Sequence, residues 1–331
     1  MRVVSLLPSA TESLLAITGA EALSPDAPVQ LVGRSHECDF PPALAASNVP
    51  VLTAARTAFK SSAQIDREVR AQLESGQSLY TLDIDLLNAL KPDLIITQDL
   101  CAVCSIDLAT VRAAAAAMSP RPAVLSLNPE TFEGVLDDVL SIGAAIDQER
   151  RATEVLVALR ERVYRAEEYV NPYTAKPVVA FLEWTDPLFI GGHWTPQLIE
   201  RAGGDHPLNP TRPIESAGAA AGPIGQTLRR AGKSVVITPE ALAAAAPEFL
   251  IISPCGLTLD QAVQEAALLA RHAWFQALPA ARNNRVAIVD GNQMFNRPGP
   301  RLVDAFEFLV GLINDRSDVI PRDFPWTRPP V

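Results

Sequence analysis

Leu94-Ile95-Ile96-Thr97-Gln98-Asp99-Leu100-Cys101-Ala102-Val103-Cys104 decides how the rest of the chain is read. A short β-branched apolar run, introduced by Lys91-Pro92-Asp93, predicts a buried parallel strand. It breaks directly into a polar turn that carries two cysteines three apart. Ligands of open α/β sheets sit beyond the carboxyl ends of the strands, and this pair falls at such an end.

Working outward, residues 1–145 repeat a strand, loop, helix rhythm. Val3–Leu7 predicts a strand, and Ser9-Ala-Thr-Glu12 offers a capping box to a helix ending near Thr18. Val29–Gly33 predicts a strand opening into Arg34-Ser35-His36-Glu37-Cys38-Asp39-Phe40-Pro41-Pro42. The stretch 53–80 is polar and weakly patterned, a loop with a helix from Ser62 to Glu74. Asp83–Leu90 predicts a helix, Asp107 caps another to about Met118, Val124–Leu127 is the next strand and Thr131–Ala145 the next helix.

The rhythm then changes. Val155, Leu156, Leu159, Val163 and Tyr164 mark the apolar stripe of a helix of more than twenty residues, roughly 30 Å long at 1.5 Å per residue. Strand signals restart after the Pro-bracketed junction Asn171-Pro172-Tyr173-Thr174. Pro177–Glu183, Phe249–Ser253 and Arg285–Val289 predict strands, and Gln197–Ala202, Pro239–Ala246, Leu259–His272 and Arg301–Ile313 predict helices. The fold class is α/β: two Rossmann-like lobes with parallel central sheets, joined by one long connecting helix. The expected organisation is an N-terminal lobe over residues 1–146, the connecting helix over 147–171, a C-terminal lobe over 172–316, and a Pro-rich surface tail over 317–331.

The 331 residues suffice for two packed domains. A net charge of -10 excludes nucleic acid as the natural partner, because phosphate binding needs a basic surface. No run approaches the roughly 18 apolar residues of a membrane span. Arg2-Val3-Val4-Ser5-Leu6-Leu7-Pro8 already reads as the first strand, without a charged segment, apolar core and cleavage site ahead of it. The expected location is therefore cytoplasmic, and periplasmic or extracellular only for a trimmed start. Four cysteines do not make a disulfide scaffold in a chain of this size.

The order of these pieces resembles the cobalamin-binding substrate-binding proteins of ABC transporters, in the helical-backbone class that also carries siderophores and haem. The resemblance rests on Val4-Ser5-Leu6-Leu7-Pro8-Ser9-Ala10-Thr11-Glu12, on Val32-Gly33-Arg34-Ser35 with the following Asp39-Phe40-Pro41, and on Leu87-Asn-Ala-Leu-Lys-Pro-Asp-Leu-Ile-Ile96. Gly191-Gly192, Leu198-Ile-Glu-Arg-Ala-Gly-Gly204 and Arg297-Pro-Gly-Pro-Arg-Leu302 extend it over nearly the whole chain. It implies a ligand cleft between the lobes, with a corrinoid or related metal chelate lying flat between facing loops. It also implies docking to an ABC permease through one surface acid per lobe, by position Asp85 and Glu240, the first shorter than the family's glutamate.

Several residues are not ones that a plain cobalamin binder needs, and all face the implied cleft. Cys101 and Cys104 read as a soft-metal half-site, a redox dithiol, thiolate contacts to cobalt or iron, or two ordinary turn cysteines. With His36 and Cys38 they make a conceivable Cys3His set for zinc or iron, and Cys255 is a weaker candidate. His36 and His193 are imidazoles able to meet the metal of a bound chelate. Trp184, Trp194 and Phe295 offer aromatic faces to a macrocycle, or pack the lobes. Glu37 and Glu183 are hydrogen-bonding or proton-accepting groups, and Asn292 and Arg297 lie in the last strand-end loop. The Pro8-Ser9 turn at a helix N-terminus is suited to a carboxylate or phosphate. Two functions follow: non-catalytic binding of a corrinoid or related chelate, or an intracellular metal-binding or thiol-dependent enzyme built on the same scaffold.

Overall fold

The computed structural model describes residues 1–56, 60–75, 78–99, 106–214 and 229–329. It divides into two compact units. The first holds Met1–Lys60, Gln64–Pro129 and Gly134–Leu159, and the second holds Ser61–Ala63, Glu130–Glu133 and Arg160–Val331.

Unit 1 is built on four parallel strands in the order Gln30–Arg34, Arg2–Ser5, Leu94–Gln98, Ala123–Leu127. Every residue of Leu94–Gln98 is buried, the polar Thr97 and Gln98 along with the apolar Leu94-Ile95-Ile96 that predicts the strand. Val4, Leu6, Val32, Leu87, Ile95 and Val111 form the core against the helices Ile84–Leu90 and Leu108–Ala117. Those helices start where expected, because the carboxylates of Asp83 and Asp107 accept from the amides of Leu86 and Thr110, both at 2.8 Å. The capping box at Ser9 is not formed. Helix Pro8–Thr18 is preceded by Leu7 and begins on Pro8, so its start rests on the fixed φ of proline. The stretch 53–80 holds the expected helix Ser62–Glu74 but also a hairpin, Thr53–Ala55 against Tyr80–Leu82. Strands of three residues are too short to show a period of two.

One unbroken helix, Glu149–Glu167, carries the chain from unit 1 into unit 2. Unit 2 has a six-stranded sheet in the order Val235–Val236, Leu188–Ile190, Val179–Thr185, Phe249–Ile252, Val286–Val289, Trp326–Thr327. Its three central strands are parallel and its outer strands antiparallel. The centre is parallel as expected, and the sheet as a whole is mixed. Ala180, Leu182, Leu250, Ile252, Ile288 and Phe275 fill its core. The tail, expected along the surface, is tied to unit 2 at two points. Trp326–Thr327 pairs with Ile288 and Val289, and Phe324 is buried in a stack on Phe308 at 4.4 Å. Aromatic burial within a Pro-rich segment supplies the reason.

Candidate functional site

The strand ends of unit 2 carry the most developed cluster. Strand Val179–Thr185 turns back through Asp186-Pro187 into Leu188–Ile190, which ends on Gly191-Gly192-His193. The edge strand Val235–Val236 approaches that end so closely that a Cβ on Gly192 would lie 2.3 Å from the Ser234 nitrogen and 2.4 Å from the Lys233 carbonyl carbon. Gly192 is therefore a packing requirement, a reason distinct from backbone freedom. The amide of His193 donates to the carbonyl of Gly232 at 2.8 Å. Glu183 closes the arrangement: one carboxylate oxygen accepts from Ser234 Oγ at 2.7 Å, the other from the Gly192 amide at 3.4 Å. Burial pushes the Glu183 carboxyl above its usual range, and those two hydrogen bonds oppose the shift.

His193 sits at φ +55°, a left-handed conformation seldom taken by a residue with a side chain. Its ring is tilted against Trp194 at 5.6 Å and has no hydrogen-bond partner among the described residues. Burial and then the Lys233 ammonium hold its pKa below the usual imidazole value, with Glu130 opposing. A half-buried neutral imidazole with unused nitrogens is a competent metal donor.

Other expected ligand residues of unit 2 lie elsewhere. Phe295 is 1% exposed, edge-on to Phe181 at 4.8 Å, and Trp194 is 6% exposed with its indole N–H donated to the Phe295 carbonyl at 2.6 Å. Both are core residues with no aromatic face left for a macrocycle, which corrects the sequence reading. Arg297 is likewise buried and has a partner within the protein. Trp184 is half-buried, its indole N–H donated to Asp186 O at 3.1 Å. Asn292 is half-buried, its amide bonded to Leu257 O at 2.9 Å. Cys255 is a half-buried free thiol whose amide donates to Glu183 O at 3.0 Å.

In unit 1, His36 lies beyond strand Gln30–Arg34. Its Nδ1 is 2.7 Å from Thr53 Oγ1, and Nε2 has no partner among the described residues. Burial lowers its pKa, so this imidazole too is neutral near pH 7. Glu37 is half-buried, its amide donated to Ser35 Oγ at 3.3 Å. Pro8 is half-buried and Ser9 buried, the Ser9 carbonyl accepting from Ser13 Oγ at 2.9 Å.

Of the expected Cys3His set, only His36 and Cys38 lie among the described residues. Cys38 is 1% exposed and its sulfur lies 3.1 Å from Thr11 Oγ1, inside the packed core of unit 1. Cys101 and Cys104 lie outside the described residues. Among the described residues no three His, Cys, Asp or Glu side chains converge to hold a metal ion. The sequence reading missed Ser234, Lys233 and Thr53. A signal existed for the first two, since Val235-Val236-Ile237 is a short β-branched run directly after them.

The family described as periplasmic binding protein matches residues 3–292. No curated protein matches the chain. Among solved structures it is similar to the periplasmic heme-binding protein BhuT in complex with two hemes, at 21% identity over 95% of this chain and 98% of that one, TM-score 0.65. A periplasmic heme-binding protein from Pseudomonas aeruginosa is 19% identical over 100% of this chain and 98% of that one, TM-score 0.65. The periplasmic vitamin B12 binding protein BtuF of Vibrio cholerae is 18% identical over 96% and 97%, TM-score 0.59. Likeness at this identity shows the fold. The expected cytoplasmic location is overturned, because the family and these neighbours are periplasmic. A first strand that begins at residue 2 describes the sheet and says nothing of the compartment. No helix among the described residues is long and apolar enough to cross a membrane. The chain belongs to the periplasmic binding protein family, the substrate-binding proteins of ABC transporters.

Proposed function

We propose that this protein binds a metal tetrapyrrole of the haem or cobalamin type, without covalent chemistry, for delivery to an ABC permease. The observation that carries the reading is His193: a neutral, half-buried imidazole with no internal partner, held in a left-handed backbone at a strand end. A loop histidine kept only for structure would spend its nitrogens on neighbours. The ammonium of Lys233, on the facing edge segment, favours a chelate with acidic edge groups, which points to haem ahead of the amide-bearing corrinoid. His36 is the corresponding donor of unit 1, and Pro8, Ser9, Glu37, Trp184, Asn292 and Cys255 are the further ligand-binding candidates. Asp85 and Glu240 are exposed in the first turns of short helices of their own units, which suits charge-paired docking to arginines of a permease.

The test is direct. The purified protein is mixed with hemin or with hydroxocobalamin, passed through a desalting column and examined by visible absorbance. Co-elution of a stoichiometric chelate is expected, with a shifted Soret band that His193→Ala alters. Co-elution of neither chelate at micromolar protein overturns the reading.

A further inference from the structure

We infer that Glu183 is a positioning residue for the ligand loop. The inference rests on the proposed role of His193 as metal donor. Three observations carry it. The two carboxylate oxygens of Glu183 each accept one hydrogen bond, one from Ser234 Oγ at 2.7 Å and one from the Gly192 amide at 3.4 Å. Those two partners flank the site: Gly192 directly precedes His193, and Ser234 directly follows Lys233. Gly192 lacks a Cβ where one would strike Ser234, Lys233 and Gly232, so the two segments touch backbone to backbone.

Glu183 is thus a bracket across two antiparallel neighbours of the sheet edge. Leu188–Ile190 pairs with Val235–Val236 for only two residues, Val235 with Ile190 and Val236 with Phe189. So short a ladder does not fix its ends by itself. Beyond it the His193 amide reaches Gly232 O, and the left-handed conformation at His193 persists only while the surroundings over-determine it. The Glu183 bracket supplies that determination from the neighbouring strand, Val179–Thr185. It sets where the imidazole points and keeps the Lys233 segment in register with it. A glutamine retains one carbonyl acceptor and can donate to the Ser234 hydroxyl, so it preserves most of the bracket; an alanine removes it.

The test uses Glu183→Ala, Glu183→Gln and Ser234→Ala in the full chain, read two ways. In ligand-free protein, amide hydrogen exchange is measured over peptides spanning 190–195 and 232–237. With hemin, affinity and the visible spectrum are measured. Glu183→Ala is expected to speed exchange in both peptides roughly tenfold, with the rest of the chain unchanged. It is also expected to weaken hemin binding about tenfold and to lose the imidazole-ligated absorbance. Glu183→Gln should restore the spectrum and most of the protection, and Ser234→Ala should fall between. Exchange and spectrum of Glu183→Ala identical to wild type overturn the inference, as does failure of Glu183→Gln to rescue. Should Glu183→Ala not fold, Ser234→Ala, which removes one arm only, decides by the same two readouts. If wild type binds no chelate, the functional reading fails while the exchange data still decide whether Glu183 is the bracket.

Discussion

Trp194 donates its indole N–H to the backbone carbonyl of Phe295 at 2.6 Å, and this bond ties two residues that read as ligand faces into the floor of unit 2. Phe295 is further ringed by Phe181, Phe308 and Phe324. Trp194→Phe keeps most of the volume but leaves a buried carbonyl without its donor. An unmet buried acceptor costs about 1–3 kcal/mol. Urea unfolding should show that loss, while affinity for hemin stays within about twofold of wild type.

Gly192→Ala tests the close approach of the two edge segments. The new methyl would stand 2.3 Å from the Ser234 nitrogen, and backbone cannot yield as a flexible side chain does. Overpacking of this kind costs about 1–3 kcal/mol. A lower urea midpoint is expected together with weaker hemin binding; full binding with unchanged stability would show that the edge strand moves freely.

Arg201 joins three elements of unit 2. Its side chain is 6% exposed, bonded to Glu133 at 2.8 Å and Glu167 at 2.9 Å, with its guanidinium over the rings of Phe132 and Phe306. Arg201→Met removes the charge, strands the Glu167 carboxylate and leaves Glu133 only its Arg160 partner at 3.6 Å, at a cost of about 3 kcal/mol. Arg201→Lys should recover less than half of it, since an ammonium cannot fork to two acids and stack on a ring. Thermal unfolding of the two variants checks both statements.

Stability should respond to pH with two opposite contributions. His206 is fully buried, its Nδ1 at 2.8 Å from Val179 O, and burial holds its pKa below the ordinary 6.5. Below that ordinary value the unfolded chain binds the proton first, so stability falls as pH falls from about 6.5 toward the depressed folded value. Asp138 behaves in reverse: burial first, and Asp137 beside it, raise its pKa from 3.8 to about 7. Between those values the folded state keeps a proton that the unfolded chain has released, so stability falls as pH rises through the window. Asp138→Asn should be more stable than wild type at pH 8 and equal to it at pH 3.5; His206→Gln should flatten the acid limb. Urea midpoints across pH 3.5–8 read both.

Lys233 should select among chelates. Lys233→Ala removes an exposed cation beside His193, and the loss for a ligand with carboxylate edges is expected near fivefold, about 1 kcal/mol. A cobalamin, whose edges are amides, should be indifferent. Equal loss for hemin and hydroxocobalamin would contradict the assigned role.

Local chemistry made the frame legible. The apolar run Leu94–Ile96, the capping aspartates Asp83 and Asp107, and the stripe of Val155, Leu156, Leu159 and Val163 each act over a few residues, where sequence spacing and spatial spacing coincide. The misses share the opposite trait. Thr53–Ala55, Leu188–Ile190 and Val235–Val236 are strands of two or three residues whose existence depends on a partner far along the chain. Helices Ala273–Ala277 and Pro279–Arg282, too short for a periodic stripe, were missed for a related reason.

The candidate site divides in the same way. The sequence by itself determined the α/β class, the strand-end loops and the residue types within them, because those follow from local periodicity and turn chemistry. It could not say which loop side chains look outward. His193 and Phe295 are both loop residues with positive φ, yet one leaves its ring nitrogens unused and the other is sealed under three phenyl rings. Only tertiary packing decides that, since whether a side chain is spent on its neighbours depends on what the fold brings to it from far along the chain. Glu183, whose two partners stand 9 and 51 residues away, is the clearest instance.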